Sequence, residues 1–398
     1  MTAVSARPAI PAARYADRLS RAAGLAAERD LAALLVAVGP DLRYLTGYAA
    51  MPLERLTMLV VPAMGPASLV VPRLEAAPAR HCPAVAGGHV EIVTWEETDA
   101  PHRVVAELVR RSGAKQDRIG VSDRLWASHL LRLQAELGGA SFESATAVLG
   151  ELRMVKDPEE IELLRLAAHA ADRVVEQIAG GRLVGRTEAD VARDVRERLL
   201  AEGHELAEFA IVASGPNSAS PHHEASERVI AAGDPIVLDI GGTLEGYGSD
   251  ITRTLWVTGG DPAKGPDAEF LRLFELVREA AAEATSAVRP GMPCERLDGV
   301  ARRIIEAGGF GPQFIHRLGH GIGLEGHEDP YLVAGNMEPL RVGAAFSVEP
   351  GIYLEGRYGS RIEDIVVCGP DGPIVLNEAP RDLYVVDGQG TPPGGAAV

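Results

Sequence analysis

PIVLDIGG, residues 235–242, has the composition of a buried strand but carries one acidic side chain, Asp239. AFSVEPG, residues 345–351, repeats this arrangement with Glu349. An ionised carboxylate inside an apolar strand destabilises a fold by several kcal/mol unless a positive charge meets it. Both stretches therefore predict strands whose acids face a cation.

Three more side chains with metal-binding chemistry follow in the chain: Asp250, His320 and Glu363. Four glycines lie between Asp239 and Asp250, and they predict a turn between two strands. A hairpin of this kind would bring both carboxylates to one end of a sheet. His320 lies within the glycine-rich stretch GHGIG.

Glu363 and Arg361 alternate onto one face of the predicted strand 361–368, while Asp364 faces the other side. One alternative is that the acids cap turns or pair with arginines such as Arg253 and Arg361. Considered together, four carboxylates and one imidazole favour divalent cations, and such a set suits Mn(II), Co(II), Zn(II) or Fe(II). Two ions about 3.5–4 Å apart can activate a shared water and polarise a carbonyl. The cluster therefore predicts a metal-dependent hydrolase of an amide or related bond.

Further histidines accompany this cluster. His316 precedes His320 by four residues, and His327 follows it by seven. His222 ends the loop-like stretch SGPNSASPH, and the following His223 is given no role. Neutral imidazoles in such loops could bind a substrate carbonyl or stabilise an oxyanion. We therefore expect His222, His316 and His327 to contact the substrate.

Composition limits the possible partners. The chain has 398 residues and a formal net charge of −17, which argues against nucleic-acid binding. Its three cysteines are scattered without metal-type spacing, which indicates a reducing compartment. The longest apolar run, residues 31–38, is too short to span a bilayer, and no apolar signal core is present. We expect a cytoplasmic protein with neither nucleic-acid nor membrane partners.

The order of elements predicts two domains. From 12 to 145, strands and helices alternate as in an α/β layer domain. A boundary falls at 145–156, and DPEE at 157–160 has the residues of a helix N-terminus with a capping box. From 155 to 387, two helices followed by acid-bearing strands occur twice, which predicts an α+β domain with pseudo-twofold symmetry.

At these residues the chain resembles the pita-bread metallopeptidases, specifically the Xaa-Pro dipeptidases (prolidases) and Xaa-Pro aminopeptidases. The matching motifs are Asp239 with Asp250 eleven residues later, H-x3-H-x6-H at His316, His320 and His327, EPGIY at 349–353 and RIED at 361–364. The resemblance implies a creatinase-like N-terminal domain over 12–145 and a pita-bread catalytic domain over 155–387.

The resemblance also implies roles for the matching residues. Two divalent ions, manganese first among them, would be held by Asp239, Asp250, His320, Glu349 and Glu363. The implied catalytic residues are His222, His327, Glu349, Tyr353 and Arg361. Glu349 would also move a proton, whereas Arg361 and Tyr353 would orient the ligands from behind.

The implied substrate is a short peptide whose scissile bond ends at a proline nitrogen. Such a bond has no N–H, and its φ is fixed by the ring. The family is commonly dimeric, so a homodimer is expected. One departure is Tyr331, where several prolidases have an arginine that can pair with the free carboxylate of a dipeptide. Dipeptidase and aminopeptidase both stay open, and Arg55 is one candidate replacement for that arginine.

Other functions are compatible with the same fold. A metal-free hydrolase like creatinase and a non-catalytic binding module would each be expected to have lost ligands, and all five are present here. A metal-dependent hydrolase of a small non-peptide amide would keep the five ligands. That enzyme is the main alternative.

Overall fold

The computed structural model describes residues 9–112 and 118–390. The chain divides into two compact units, one ending at Arg153 and the next beginning at Met154. No helix among the described residues is long and apolar enough to cross a membrane.

The first unit is built on one mixed six-stranded sheet. Its elements are α1 (Ala12–Glu28), β1 (Ala33–Ala37), α2 (Pro40–Thr46), β2 (Met58–Pro62), β3 (Ala67–Pro72), α3 (Ala76–Arg80), α4 (Pro83–Ala86), β4 (Val90–Trp95), α5 (Pro101–Arg111), β5 (Arg118–Val121), α6 (Ala127–Glu136), β6 (Ser141–Ser144) and α7 (Thr146–Met154). The strand order is β4-β3-β2-β1-β5-β6. Five of these strands follow the predicted alternation. The sixth, β6, was not predicted because its sequence SFES is short, polar and partly exposed.

The second unit repeats a pattern of two helices followed by strands. Its elements are α8 (Pro158–Ala179), α9 (Glu188–Ala201), β7 (Leu206–Ser214), β8 (Pro235–Leu244), β9 (Tyr247–Val257), α10 (Ala268–Ala287), α11 (Cys294–Ala307), β10 (Gly319–Gly321), β11 (Glu328–Leu332), β12 (Ala345–Val348), β13 (Gly351–Leu354), β14 (Tyr358–Arg361), β15 (Asp364–Cys368), β16 (Pro373–Val375) and β17 (Tyr384–Val386). The main sheets have the orders β17-β9-β8-β7 and β11-β10-β12-β15-β16, and β13 pairs with β14. This order agrees with the predicted internal duplication.

Local sequence signals explain how the second unit begins. The predicted capping box is formed at α8, where the backbone N–H of Asp157 donates to the Glu160 carboxylate at 2.8 Å. Helices α8 and α9 bury apolar side chains such as Val175 and Val195 against β7, β8 and β9. Helices α10 and α11 form a second core with β12 and β14.

The strands of the second unit bring the acidic residues together. Antiparallel pairing of β8 with β9 sets Asp239 opposite Thr252 and Asp250 opposite Gly241, as the predicted hairpin requires. The predicted continuous strand 361–368 is wrong, because β14 ends at Arg361 and β15 begins at Asp364. At this break, Glu363 forms an isolated bridge with Thr252 and so turns towards the hairpin.

Asp364, the first residue of β15 after this break, pairs with arginines. The buried guanidinium of Arg253 donates to Asp364 at 2.7 Å and also to the carbonyl oxygens of Glu363 and Ala379. Arg381 contacts the same carboxylate from a more exposed position. The Arg253–Asp364 pair therefore ties β9 to β15.

We predict that Arg253→Met lowers the free energy of unfolding by about 3–5 kcal/mol, because Asp364 stays buried without its main partner. Arg381→Gln is the matched control, since Arg381 is 38% exposed and pairs with the same carboxylate. Its loss should stay below about 1 kcal/mol. Urea denaturation measures both variants, and equal losses would contradict the assigned importance of the buried pair.

Candidate metal centre and catalytic pocket

The five side chains with predicted metal-binding chemistry line one cavity of about 820 Å³ in the second unit. They are Asp239 on β8, Asp250 on β9, His320 on β10, Glu349 directly after β12 and Glu363 between β14 and β15. The lining also contains His222, His316, His327 and Arg361. Of the predicted site residues, all of which lie in the described part of the chain, Tyr353 alone does not line the cavity.

The glycines around His320 allow the close packing of β10. A Cβ at Gly319 would collide with the carbonyl oxygen of Ser347, and one at Gly321 would collide with the backbone of Asp329. Ser347 in turn accepts a hydrogen bond from the backbone N–H of His320 at 3.0 Å. The GHG sequence therefore lets the imidazole enter the site from a tightly packed strand.

Three of the side chains are close enough to share one ion. One ligand atom from each of Asp250, His320 and Glu363 lies within 4.8 Å of the others. The Nε2 atom of His320 is 3.7 Å from Asp250 Oδ2 and 3.3 Å from Glu349 Oε1. This geometry brings two carboxylates and one imidazole to a common centre, with Glu349 beside it.

Asp239 shows an incomplete set of partners. Its Oδ2 atom accepts a hydrogen bond from Arg361 at 2.5 Å. Its Oδ1 atom is buried and has no hydrogen-bond partner among the described residues. A buried carboxylate oxygen without a partner is costly, and the two guanidinium groups of the cavity lining, Arg317 and Arg361, do not balance four carboxylates. The residues present therefore fit divalent cations.

The electrostatics agree with this conclusion. Burial raises the pKa of Asp250 well above its usual range, and the charge of Asp239 raises it further. Burial and the charge of Asp250 do the same to the pKa of Glu363. Burial also raises the pKa of Glu349 to about 7, although Arg361 opposes the rise. A bound cation would favour the ionised form of each of these carboxyl groups.

His320 has the protonation state that a metal ligand needs. Burial, together with the charge of His327, lowers the pKa of His320 to about 3. Its imidazole is therefore neutral at physiological pH, and a neutral imidazole can donate a lone pair to a metal. The Nδ1 atom lies 3.1 Å from the Gly321 carbonyl oxygen, which orients the ring.

Arg361 organises the groups behind the carboxylates. Besides Asp239, it donates to Thr252 Oγ1 at 3.0 Å and to the Tyr353 hydroxyl at 2.7 Å. Thr252 then donates to Glu363 at 2.7 Å. Sequence reasoning missed Thr252, although its spacing of two residues from Asp250 predicts that both face the same side of β9.

The histidines differ in their surroundings. His316 lies 3.0 Å from the Tyr353 hydroxyl, and burial lowers its pKa to about 3. The ring of His327 lies 3.9 Å from that of His320, centroid to centroid. His222 and His327 are both exposed at the cavity wall. These positions bring three imidazoles next to the carboxylate cluster.

Glu188, at the start of α9, anchors the loop that carries His222. Its carboxylate is fully buried and accepts hydrogen bonds from Ser214, Asn217, His223 and Ser226 at 2.6–3.1 Å. Sequence reasoning missed it, because an acid in the first turn of a helix is usually a surface residue. The same contacts give His223 a structural role.

Burial alone would raise the pKa of Glu188, but hydrogen bonds from Ser214, Ser226 and His223 outweigh it and lower the pKa to about 2. Because this pKa lies below the usual 4.5, the carboxylate stabilises the fold fully above that pH. The contribution is lost as the pH falls towards 2.

We predict that Glu188→Gln lowers the free energy of unfolding by about 3 kcal/mol at neutral pH. It should also flatten the dependence of stability on pH between 4.5 and 2. Glu197→Gln, an exposed site on the same helix, is the matched control. Denaturation at a series of pH values measures both effects, and an unchanged pH profile in Glu188→Gln would refute the role of this carboxylate.

Comparison with known proteins identifies the family. The model of metallopeptidase family M24 matches residues 162–370, and that of the creatinase/prolidase N-terminal domain matches residues 18–155. The chain belongs to metallopeptidase family M24. The predicted fold class, a creatinase-like domain followed by a pita-bread catalytic domain, is thereby confirmed, and the chain is an enzyme of the metal-dependent peptidase class.

Individual relatives extend over nearly the whole chain. The probable dipeptidase PepE of Mycobacterium tuberculosis is 44% identical over 94% of this chain and 96% of its own length. The Xaa-Pro dipeptidase of Pyrococcus furiosus is 33% identical over 80% of this chain and 86% of its own. The crystal structure of dipeptidase PepE from Mycobacterium ulcerans superposes with a TM-score of 0.88 at 43% identity, covering 95% of this chain and 99% of that one. The alternative of a non-peptide amidase is not favoured.

Proposed function

We propose that this enzyme is an Xaa-Pro dipeptidase, which hydrolyses the bond between the two residues of a dipeptide ending in proline. The observation that carries the proposal is the convergence of four carboxylates and a neutral imidazole on one cavity. Relatives named dipeptidase and Xaa-Pro dipeptidase support the choice of substrate.

The proposed ligand set uses all five side chains. Asp239 would hold one divalent ion and His320 with Glu349 the other, and Asp250 and Glu363 would help to hold both. We propose manganese as the native metal, because an oxygen-rich set with one nitrogen suits it. When bound, such a pair of ions supplies an activated water and polarises the scissile carbonyl.

The remaining steps belong to the protein's own side chains. Ser347 donates to Glu349 at 3.1 Å and so fixes a carboxylate that can take up and return a proton. His222 and His327 are proposed to hydrogen-bond the scissile carbonyl and stabilise its developing charge. Arg361 and Tyr353 keep the carboxylates in place, and His316 is proposed to contact the substrate beside them.

The cavity also suits a proline residue. Its wall includes the apolar side chains Phe209, Ile211 and Val333. These can pack against a pyrrolidine ring, and a tertiary amide brings no N–H that would need an acceptor. Its volume of about 820 Å³ is large enough for a short peptide.

We further propose that the enzyme is a cytoplasmic homodimer that acts on free peptides rather than on nucleic acid or membranes. The net charge of −17 supports the absence of a nucleic-acid partner. All three cysteines are free and buried, which fits a reducing compartment. The dimer rests on the family resemblance, and sedimentation velocity would test it.

We predict that the enzyme cleaves alanylproline, loses activity on chelation and regains it with Mn²⁺. Glu363→Gln should lower kcat/KM more than about a hundredfold and reduce the number of bound ions, because a shared ligand is lost. Glu355→Gln, an exposed acid nearby in sequence, is the control. Steady-state kinetics and elemental analysis measure both, and full activity after thorough metal removal would contradict the proposal.

A further inference from the structure

A second guanidinium, that of Arg317, lines the cavity. It stacks over the ring of Tyr331, with its central carbon 4.5 Å from the ring centroid. One of its terminal nitrogens is 3.5 Å from Nδ1 of His327. Neither neighbour is an anion, so Arg317 keeps its positive charge available on the cavity wall.

The other arginine of the cavity is differently placed. Arg361 already donates to Asp239, Thr252 and the Tyr353 hydroxyl from a buried position. The candidate suggested by sequence, Arg55, pairs with Glu54 and Glu97 in the first unit. Arg317 therefore differs from both in forming no ion pair with a carboxylate among the described residues, although its charge opposes the rise in the pKa of Glu349.

The location of Arg317 relates it to the reacting bond. It contacts His327, whose ring lies beside the ring of His320. A group bound by Arg317 would therefore be separated from the ring of His320 by the side chain of His327. In a dipeptide, the free carboxylate is one residue beyond the scissile carbonyl, and a planar guanidinium can bind it with two parallel hydrogen bonds.

The Tyr331 ring suits this task. A cation–π contact holds a guanidinium in position without neutralising it with a negative charge. The N–H groups at the edge of Arg317 remain able to donate to a ligand. An acid at position 331 would instead have competed with the substrate for the same cation.

We propose that Arg317, supported by Tyr331, binds the C-terminal carboxylate of the dipeptide and thereby restricts the enzyme to dipeptides. The inference rests on the proposed function and adds the group that selects substrate length. An alternative role for Arg317 is to bind an acidic side chain on the residue before proline. The experiment separates these two roles.

The test compares alanylproline with alanylprolinamide, which differs only in lacking the free carboxylate. The wild type should prefer the acid by about a hundredfold in kcat/KM. Arg317→Gln should lower kcat/KM for the acid by a similar factor, mainly through KM, and change that for the amide less than about threefold. Arg289→Gln, an exposed arginine of the same unit, is the control.

Substitutions at Tyr331 provide an independent arm. Tyr331→Phe keeps the ring and should retain the preference for the acid, whereas Tyr331→Leu should reduce it about tenfold. Metal content and thermal midpoint of each variant check that the site remains assembled.

Each contrary outcome has a distinct meaning. Equal loss on acid and amide in Arg317→Gln, or equal cleavage of both by the wild type, overturns the inference and leaves the peptidase intact. Aspartylproline serves as a third substrate. If Arg317→Gln lowers kcat/KM for aspartylproline but not for alanylproline, the inference is also overturned, in favour of side-chain recognition. Cleavage of neither compound by the metal-loaded wild type overturns the proposed function, and the inference with it.

Discussion

The second unit depends on one electrostatic constraint, the crowding of four largely buried carboxylates in the wall of one cavity. Asp239, Asp250, Glu349 and Glu363 come from different strands or strand ends and repel one another unless protonated or matched by cations. Arg361 contacts only one of them directly. At neutral pH these carboxyl groups must either hold protons or bind cations, and the binding of cations connects the fold to metal-dependent chemistry.

The same unit treats buried acids in three different ways. Asp364 pairs with Arg253, which fixes one strand to another. Glu188 is surrounded by hydroxyl, amide and backbone donors, which lower its pKa to about 2 and hold the loop of His222. The cluster acids have only part of each solution. Arg361 pairs with Asp239, and one hydroxyl each donates to Glu363 and Glu349, but the Oδ1 atom of Asp239 is left without a hydrogen bond among the described residues. This contrast within one structure distinguishes acids that stabilise the fold from acids placed to bind a cation.

Much of this arrangement could be predicted from sequence, because it depends on local patterns. Each of these signals can be recognised from a few neighbouring residues. They are the acids inside apolar strands, the glycines between Asp239 and Asp250, and the DPEE helix start. Contacts between distant segments could not be predicted in this way. Glu188 resembles an ordinary surface acid until the loop beyond residue 214 folds onto it, and the break between Arg361 and Asp364 follows from a bridge to Thr252.

Arg317 shows the same limit for substrate recognition. The sequence has a tyrosine at 331 and offers Arg55, in the first unit, as one replacement for the missing arginine. The side chain that stacks on Tyr331 comes instead from residue 317, three positions before His320. These positions are brought together by the antiparallel pairing of β10 with β11, which the sequence does not show.

An anomalous difference map at the manganese absorption edge, from crystals grown with Mn²⁺, would show whether the carboxylate cluster binds two ions. We expect two peaks inside the cluster, about 3.5–4 Å apart, with oxygens of Asp250 and Glu363 next to both. A map with no peak at this position, and with the carboxylates spread apart or matched by arginines, would contradict this expectation.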